Sequence, residues 1–346
     1  MHAALAHEEP DRVPLDVWMT PEIRDELVRE TGAADAWEMR VALRHDCLTA
    51  HVGQVASFYR EESRYVDPWG VTWQHVSCAD GKGSYTEMVE HPLAGDDSLL
   101  DSYRVPDAEE PGQYEELAML VRRFGKTHSI VGGVSCSVFE GPWYLRGMER
   151  FLQDLLVNKD YAHRLIDLVS GFYLKAGLRL VEMGCDILLA GDDVGMQDRM
   201  LISPALFREF LKPRYGRLFG EYKRANPGLR IAAHICGFIE PVIDDLVEAG
   251  LDILNPVQPL AMDPAVLKKR YGRRLSFWGA VDDQKVMPFG SPRDVEAEVR
   301  LRISQLAPGG GYILCPSHNL QPTTPMENVH AFYRAAERCC AYPLKV

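Results

Sequence analysis

Short, almost continuously apolar runs alternate along this chain with longer segments in which apolar residues recur every three or four positions. The short runs are typical of strands buried on both faces of a parallel sheet, and the longer segments are typical of amphipathic helices. The predicted strands are residues 12–18, 128–136, 185–192, 230–236, 251–257, 275–281 and 311–317. The predicted helices between them are residues 151–180, 204–224, 238–249, 264–271 and 292–306.

Three of these helices begin with a capping side chain followed by proline, at Ser203, Asp263 and Ser291. Such a side chain accepts a free backbone N–H, and proline fits the first helical position. Repeated strand–helix alternation predicts a parallel sheet with right-handed crossovers. Seven strands are clear, an eighth is ambiguous, and no Gly-x-Gly-x-x-Gly follows a strand. The predicted fold is therefore α/β, a (β/α)8 TIM barrel rather than a dinucleotide-binding sheet.

Residues 40–125 interrupt the alternation. Within them, residues 63–90 are rich in aromatic side chains and predict β structure with a turn at residues 81–83. Residues 106–112 have the composition of a linker that returns the chain to the barrel. We therefore expect residues 1–346 to form a single barrel domain, with an N-terminal β-rich insertion at about 40–125 that shapes a pocket wall.

The charge balance narrows the range of partners. The chain has 38 Lys and Arg against 50 Asp and Glu, a formal net charge of −12. This balance argues against nucleic acid and against anionic membrane surfaces, which both require clustered basic residues. No run approaches 18 apolar residues, and the first ten residues lack the pattern of a signal peptide. These features predict a cytoplasmic protein without a membrane partner.

Cysteine usage supplies the first candidate chemistry. Eight cysteines are scattered along the chain and no Cys-x-x-Cys occurs, which excludes a zinc ribbon and a thioredoxin-like redox site. His234 and Cys236 end a predicted strand two residues apart, so their side chains point the same way, towards the mouth of a barrel. An imidazole and a thiolate together suit zinc. On spacing alone, a packed cysteine and a hydrogen-bonded histidine explain this pair equally well.

A third ligand comes from the end of the last predicted strand, where Cys315 and His318 are both available. Three protein ligands with an open fourth position define a catalytic zinc site. Asp192 and Asp193 follow another strand and are predicted catalytic residues that orient substrate or transfer a proton, although helix capping is the alternative. The predicted substrate-binding residues, for which core packing is the alternative, are Asp67, Trp69, Trp278 and Asp282.

Seven segments in order carry a family resemblance, namely residues 12–14, 67–70, 191–215, 234–237, 250–258, 271–282 and 309–329. Together they resemble the uroporphyrinogen decarboxylase-like superfamily. This superfamily includes zinc-dependent methylcobalamin:thiol methyltransferases and related O-demethylation methyltransferases. The resemblance covers most of the chain and implies a (β/α)8 barrel.

Zinc methyltransferases of this superfamily use His-x-Cys and a later Cys. His234 and Cys236 match the first two ligands, whereas the position of the later Cys falls on His318, with Cys315 nearby. The third ligand is therefore left open between His318 and Cys315. The resemblance implies a zinc-dependent methyltransferase that moves a methyl group between a corrinoid and a small thiol or a methoxylated or methylated substrate. The corrinoid is either methylcobalamin or the cofactor of a partner corrinoid protein.

Two alternatives remain at this stage. Uroporphyrinogen decarboxylases of the superfamily carry an Arg-Gln-Ala-Gly-Arg segment after the first strand, and residues 19–26 lack it here. A porphyrinogen with eight carboxylates also fits poorly with acidic pocket candidates. Porphyrinogen decarboxylation is the first alternative, and a barrel that binds a corrinoid or another small molecule without catalysis is the second.

Overall fold

The computed structural model of the protein describes residues 1–57, 62–77 and 84–344. Its strands, in chain order, are β1 (Cys47–His51), β2 (Arg64–Val66), β3 (Thr72–Ser77), β4 (Ser84–Glu90), β5 (Ser129–Gly133), β6 (Ile187–Ala190), β7 (Arg230–His234), β8 (Ile253–Asn255), β9 (Ser276–Val281) and β10 (Tyr312–Pro316). Seven of them form one sheet in the order β1-β5-β6-β7-β8-β9-β10, with all described pairs parallel.

The α-helices are α1 (His2–Leu5), α2 (Pro21–Thr31), α3 (Ala36–Ala42), α4 (Leu99–Ser102), α5 (Glu115–Phe124), α6 (Glu140–Arg146), α7 (Met148–Val157), α8 (Lys159–Glu182), α9 (Pro204–Leu206), α10 (Lys212–Ala225), α11 (Ile243–Ala249), α12 (Pro264–Tyr271), α13 (Val286–Phe289), α14 (Pro292–Leu306) and α15 (Met326–Cys339). Short 3₁₀ turns at Gly53–Ser57, Pro111–Tyr114 and Glu240–Val242 and a π-helical turn at Phe207–Leu211 complete the helical structure.

An irregular segment near the N-terminus closes the sheet into a barrel. Leu15 forms a parallel bridge to Leu314 of β10, and on its other side its carbonyl accepts the N–H of Asp46, immediately before β1, at 2.8 Å. The segment 12–18, predicted as a strand, therefore occupies the eighth position without forming a regular strand. Pro14 has no N–H to donate, which interrupts a ladder at this point. The predicted α/β barrel is confirmed.

The region between residues 40 and 125 differs from its prediction. β1 lies inside the predicted insertion but pairs with β5 in the main sheet, so the insertion begins after residue 51. This strand is short and contains polar Thr49 and His51, so it lacks the long apolar run expected of a barrel strand. β2, β3 and β4 form a separate antiparallel sheet, as residues 63–90 predict. The predicted turn at 81–83 lies outside the described residues.

Local capping chemistry sets several helix boundaries. Ser203, Asp263 and Ser291 accept backbone N–H bonds from Leu206, Ala265 and Asp294, so all three predicted helix starts are confirmed. The predicted helix at 151–180 is instead two helices, α7 and α8, separated at Asn158. Its φ of −135° and ψ of 53° depart from helical values.

The barrel interior determines where a ligand can enter. Apolar side chains from several strands, together with Trp278 and Cys315, fill the middle of the barrel. This packing closes the middle of the barrel, so a ligand enters where the strand ends and their loops diverge. Within residues 1–57, 62–77 and 84–344, no helix combines the length and apolar character that crossing a bilayer requires.

Candidate metal centre at the barrel mouth

A cavity of about 500 Å³ opens at the carboxyl ends of the barrel strands. Residues at or just after the ends of β1, β5, β6, β7 and β10 contribute to its wall, as do the N-terminal segment and α6. Its polar and aromatic lining residues are Asp16, Trp18, Arg40, Thr49, His51, Glu116, Ser135, Cys136, Glu140, Tyr144, Asp193, His234, His318 and Asn319. This is the end of a (β/α)8 barrel at which active sites are built.

His234, Cys236 and His318 bring three metal-binding atoms together at this mouth. One ligand atom from each residue lies within 4.8 Å of the others. The Cys236 Sγ is 3.4 Å from Nε2 of His234, and the two imidazole rings have centroids 5.5 Å apart. Among the residues that the structure describes, this is the cluster of His, Cys, Asp or Glu with the spacing of a metal site.

A close approach between two strand ends fixes the backbone beneath this cluster. Gly191 follows β6 with a φ of +137°, a conformation that side chains strongly disfavour. A Cβ at this position would lie 1.9 Å from the carbonyl oxygen of His234, so only glycine fits. The chain after β6 therefore lies directly against the end of β7. This contact brings Asp193 close enough to accept the backbone N–H of Cys236 at 2.7 Å.

Asn255, at the end of β8, orients the imidazole of His234. Its Oδ1 is 2.5 Å from Nδ1 of His234, and its own Nδ2 donates to the carbonyl of Trp278 at 2.9 Å. Because an amide oxygen can only accept, Nδ1 of His234 carries a proton, and in the neutral ring the lone pair is on Nε2. That lone pair is on the nitrogen nearest Cys236. Metal-bound histidines are held in this way in proteins.

The electrostatic surroundings make the imidazole of His318 available as a neutral donor. Burial, with the nearby His234, lowers the pKa of His318 to about 4. Burial also raises the pKa of the Cys236 thiol well above its usual value, and the neighbouring Asp193 and Glu140 raise it further. A raised pKa means that deprotonating Cys236 is costly, and a bound dication would offset this cost by stabilising the thiolate. Two neutral imidazoles and one thiolate are a donor set that fits zinc.

Of the two residues left open by the sequence, the structure brings His318 and not Cys315 into this cluster. Cys315 lies within β10, is 1 % exposed and packs in the barrel interior with Trp278. β10 ends at Pro316, and the chain then turns so that His318 reaches the cavity. Spacing could not separate the two residues because the turn after Pro316 is a tertiary feature.

Asp192 and Asp193 occupy different environments. Asp192 is fully buried and accepts the backbone N–H groups of Phe139 and Glu140 at 2.8 Å and the hydroxyl of Tyr215 at 2.8 Å. Burial raises its pKa to about 6. It anchors the start of α6 and is not among the residues that line the cavity, so the structure does not bring it to the site where its catalytic role was predicted. Asp193 lines the cavity, as expected of a residue that acts on a ligand.

Two predicted substrate-binding residues, Asp67 and Trp69, lie away from the cavity. The Asp67 carboxylate accepts the N–H of Trp69 at 2.8 Å and the indole N–H of Trp73 at 2.8 Å, so it shapes the turn before β3. Trp69 is 2 % exposed and packs edge-on against Phe172 with ring centroids 4.7 Å apart. Both residues hold the small sheet against the barrel, and the structure does not bring either of them to the cavity.

Trp278 and Asp282, the other two predicted substrate-binding residues, are also structural. Trp278 is fully buried and packs edge-on against Trp18, which itself lines the cavity. Asp282 is buried and accepts the N–H groups of Gln284 and Lys285 at 2.8 and 3.1 Å. These residues support the cavity wall from behind. In the sequence, an aromatic or acidic residue at a strand end looks the same whether it lines a cavity or packs in the core.

Several cavity residues carry little sequence signal. His51 ends β1, the strand that the hydrophobic pattern does not reveal, and Trp18 belongs to the irregular segment. Asn255 lies in the family-like segment 250–258, but nothing in its spacing indicates contact with His234. The signal that could have found them is their common position at the carboxyl end of a strand or of a segment predicted as a strand.

Glu140 forms the acidic side of the same cavity. Its Oε1 accepts the Tyr144 hydroxyl at 2.9 Å and its Oε2 accepts the backbone N–H of Asp193 at 3.1 Å. Burial, with Asp193 and Asp192, raises the pKa of Glu140 well above its usual value. The Cys136 thiol lies 3.6 Å from the Tyr144 hydroxyl. A carboxyl with a raised pKa beside a candidate metal centre holds a proton more readily than an ordinary carboxyl and is a candidate for proton transfer.

Comparisons with known proteins identify relatives of this chain. The chain is 24 % identical over 231 residues to a methylcobamide:CoM methyltransferase, MtaA, of Methanosarcina barkeri, covering 66 % of this chain and 63 % of that protein. The match thus spans under two thirds of that relative's length. The chain is also 24 % identical over 245 residues to a uroporphyrinogen decarboxylase of Synechococcus sp. strain CC9605, covering 67 % and 64 % of the two chains.

The fold has a close counterpart among solved structures. A methyltransferase from Methanosarcina mazei superposes with a TM-score of 0.72 at 22 % identity, covering 97 % of this chain and 96 % of the other. The sequence profile of the uroporphyrinogen decarboxylase (URO-D) family matches residues 74–339. This range begins in the small sheet and includes β5 to β10 with all three residues of the metal-like cluster. The chain therefore belongs to the uroporphyrinogen decarboxylase (URO-D) family.

Proposed function

We propose that this protein is a zinc-dependent methyltransferase that moves a methyl group between a corrinoid and a small thiol or a methoxylated or methylated compound. The observation that carries the proposal is the hydrogen bond between Asn255 and Nδ1 of His234, which leaves Nε2 free beside Cys236. A histidine that merely packs has no need of a fixed tautomer facing a thiol. The similarity to a methylcobamide:CoM methyltransferase supports the same proposal.

His234, Cys236 and His318 would hold the zinc ion. When bound, zinc would supply Lewis acidity that lowers the pKa of a thiol or polarises an ether oxygen. Three protein ligands leave a fourth position for the substrate atom. Cys236 is held for this role by its backbone N–H bond to Asp193.

The remaining cavity residues would orient the substrate and accept or donate one proton. In transfer to a thiol, a sulfur–carbon bond forms and the cobalt–carbon bond breaks with both electrons left on cobalt, while the S–H proton departs. Glu140, bonded to the Tyr144 hydroxyl and to the Asp193 backbone, lies in the same cavity and is able to accept or return that proton. Trp18, whose ring centroid is 5.2 Å from that of His234, forms a flat wall beside the metal ligands.

The corrinoid partner enters the proposal as a substrate. The cavity of about 500 Å³ is too small to enclose a corrinoid ring system, so the ring would sit over the mouth with its methyl group directed inwards. A corrinoid-binding protein would present it there. Free methylcobalamin is the simpler probe of the same geometry.

The alternatives predict other results. Porphyrinogen decarboxylation requires a cavity that matches eight carboxylates, whereas this cavity has acidic Asp16, Glu116, Glu140 and Asp193 beside one arginine, Arg40. A non-catalytic binding barrel would bind a corrinoid without transferring its methyl group.

The first experiment measures zinc in protein purified without chelators, together with demethylation of methylcobalamin in the presence of small thiols and of phenols. We expect one zinc per chain and zinc-dependent loss of the methyl group. The Cys236→Ala variant should lose both. Cys185→Ala, which removes another buried thiol far along the chain from the cluster, is the matched control and should retain both.

Zinc-free protein with full activity in the Cys236→Ala variant would contradict the proposal. Metal-free consumption of uroporphyrinogen would instead establish the decarboxylase alternative. Corrinoid binding that is unaffected by His234→Ala, with no transfer to any acceptor, would establish the non-catalytic one.

A further inference from the structure

We infer that the cavity selects an uncharged or positively charged substrate over an anionic one, with His51 as a hydrogen-bond partner of the substrate. The inference rests on the proposed function, because it concerns the substrate of the same site. The relatives include an enzyme named for CoM, a thiol whose other end is an anionic sulfonate. The residues that line this cavity oppose such a group, for three reasons.

The first reason is the balance of charged side chains in the wall. Four acidic side chains line the cavity, from Asp16, Glu116, Glu140 and Asp193. Arg40 is the one Lys or Arg among the described lining residues. Even with Glu140 protonated, the three remaining acidic groups outnumber the guanidinium of Arg40 together with the single positive charge that a zinc ion bound to one thiolate would add. A like charge brought into a partly enclosed cavity is repelled more strongly than in bulk water.

The second reason is that Arg40 is already engaged. Its NH1 donates to the carbonyl oxygen of Val17 at 2.7 Å and lies 4.0 Å from Oδ1 of Asp16. The charge of Arg40 is therefore largely matched by Asp16, and one of its terminal nitrogens is held against the backbone. A free guanidinium fork, which is the usual binding group for a sulfonate or carboxylate, is not offered here.

The third reason is the state of His51. Burial, with the nearby His234, lowers the pKa of His51 to about 4, so the ring is neutral and attracts no anion. Across the described part of the chain, the buried Nδ1 of His51 has no hydrogen-bond partner. By contrast, the buried His45 bonds Asp16 at 3.1 Å and Tyr333 at 2.9 Å. Because Nδ1 of His51 is enclosed, Nε2 is the ring nitrogen that a ligand in the cavity would bond.

The absence of a side chain at Gly133 leaves the space that the imidazole of His51 occupies. His51 and Gly133 are direct partners in the pairing of β1 with β5. A Cβ at Gly133 would lie 2.1 Å from Nδ1 of His51, so the ring rests against bare backbone. The ring is thus held at the cavity wall with Nδ1 against the backbone of Gly133. A hydroxyl or amine on the substrate would hydrogen-bond the other ring nitrogen, Nε2.

Three thiols with the same two-carbon chain differ in the charge of the group at the other end. These are 2-mercaptoethanol, which is neutral, 2-aminoethanethiol, which is cationic, and 2-mercaptoethanesulfonate, which is anionic. We expect calorimetric dissociation constants on the zinc-loaded protein to be at least about tenfold lower for the first two than for the sulfonate. Values of kcat/KM for demethylation of methylcobalamin should follow the same order. A sulfonate that binds as tightly as 2-mercaptoethanol, or more tightly, would overturn the inference.

Two pairs of variants assign the effect to residues. Glu116→Gln removes one acidic group from the wall. It should reduce the difference between the dissociation constants of the sulfonate and of 2-mercaptoethanol. Glu115→Gln, an exposed neighbour on the same helix outside the cavity, should leave the difference unchanged. If both variants, or neither, reduce it, the charge of the wall is not the cause.

His51→Leu should remove the preference for 2-mercaptoethanol over ethanethiol, which we expect to be about three- to tenfold in the unmodified protein. His51→Asn, which keeps a hydrogen-bonding group, should restore part of it. A preference that survives in His51→Leu would contradict the role of His51.

The same measurements distinguish failure of this inference from failure of the proposed function. Zinc content is determined first, and calorimetry with the three thiols is repeated on metal-free protein. A chain that bound no zinc would contradict the proposed function, while the ranking of the three thiols would still test the selectivity of the cavity. A zinc enzyme that preferred the sulfonate would support the proposed function and overturn the inference.

Discussion

Asn255 holds His234 through a contact of 2.5 Å between its Oδ1 and Nδ1 of the imidazole, and the two residues lie side by side on adjacent strands. The Asn255 side chain is itself fixed by its bond to the backbone of Trp278. Orientation of the candidate metal ligand is therefore set by a rigid sheet rather than by a loop. Rigid support of this kind keeps a metal site in one geometry.

Replacement of Asn255 should reduce zinc affinity without removing a ligand. Asn255→Ala is expected to weaken zinc binding about 10- to 100-fold, because the tautomer and direction of His234 are no longer fixed. Competition with a chromogenic chelator measures the change. Asn226→Ala, which removes an amide that bonds only the nearby Gly228 in a surface turn, is the control and should bind zinc normally. Equal affinities in the two variants would show that the Asn255 contact is incidental.

Exchange of the candidate third ligands should distinguish His318 from Cys315. His318→Ala is expected to lower zinc affinity by more than the about 10- to 100-fold typical of a supporting residue. Cys315→Ala should keep full zinc content, since its thiol is in the barrel interior. His318→Cys should retain metal and, with cobalt(II) in place of zinc, gain thiolate-to-metal absorption. Loss of metal in Cys315→Ala alone would reverse the assignment.

Asp192 should make a pH-dependent contribution to stability. Its pKa is raised from 3.8 to about 6 in the folded protein. Between about pH 4 and pH 6 the folded state therefore binds more protons than the unfolded state, and stability falls as pH rises through this window. Two pKa units correspond to about 3 kcal/mol.

The Asp192→Asn variant cannot titrate at this position and isolates the effect. The free energy of unfolding of the unmodified protein, minus that of Asp192→Asn, should fall by up to about 3 kcal/mol from pH 4 to pH 6 and stay constant above pH 7. Urea unfolding at several pH values provides the measurement. A difference that is flat, or that rises with pH, would contradict the raised pKa.

Gly133 should be intolerant of even the smallest side chain. Gly133→Ala places a Cβ 2.1 Å from Nδ1 of His51, so the imidazole ring must move away from β5. We expect methyl-transfer activity to fall at least about tenfold with zinc content unchanged, because orientation of the substrate is lost and the metal ligands are not.

Gly216→Ala is the matched control for this substitution. Gly216 lies within α10, and no atom is within 4 Å of its added Cβ. The variant should keep full activity and gain about 0.5–1 kcal/mol in stability, because alanine favours the helix. Normal activity in Gly133→Ala would show that His51 has no part in binding substrate.

The sequence by itself determined the α/β barrel, six of its regular strands and the His234–Cys236 pair. Each depends on information that is local along the chain. Strands buried on both faces are continuously apolar, helices start at caps such as Ser291, and residues two apart at a strand end share a direction. β1 escaped prediction because its five residues include polar side chains and show no such local pattern.

The tertiary structure alone decided which residues share the cavity. The turn after Pro316 brings His318 to the cluster and leaves Cys315 inside the barrel. The contact between Gly191 and His234 places Asp193 at the site and buries Asp192 behind it. These outcomes depend on how adjacent strand ends approach one another. Residues distant in the chain meet there by packing, and the order of amino acids does not reveal on which side of the wall a side chain lies.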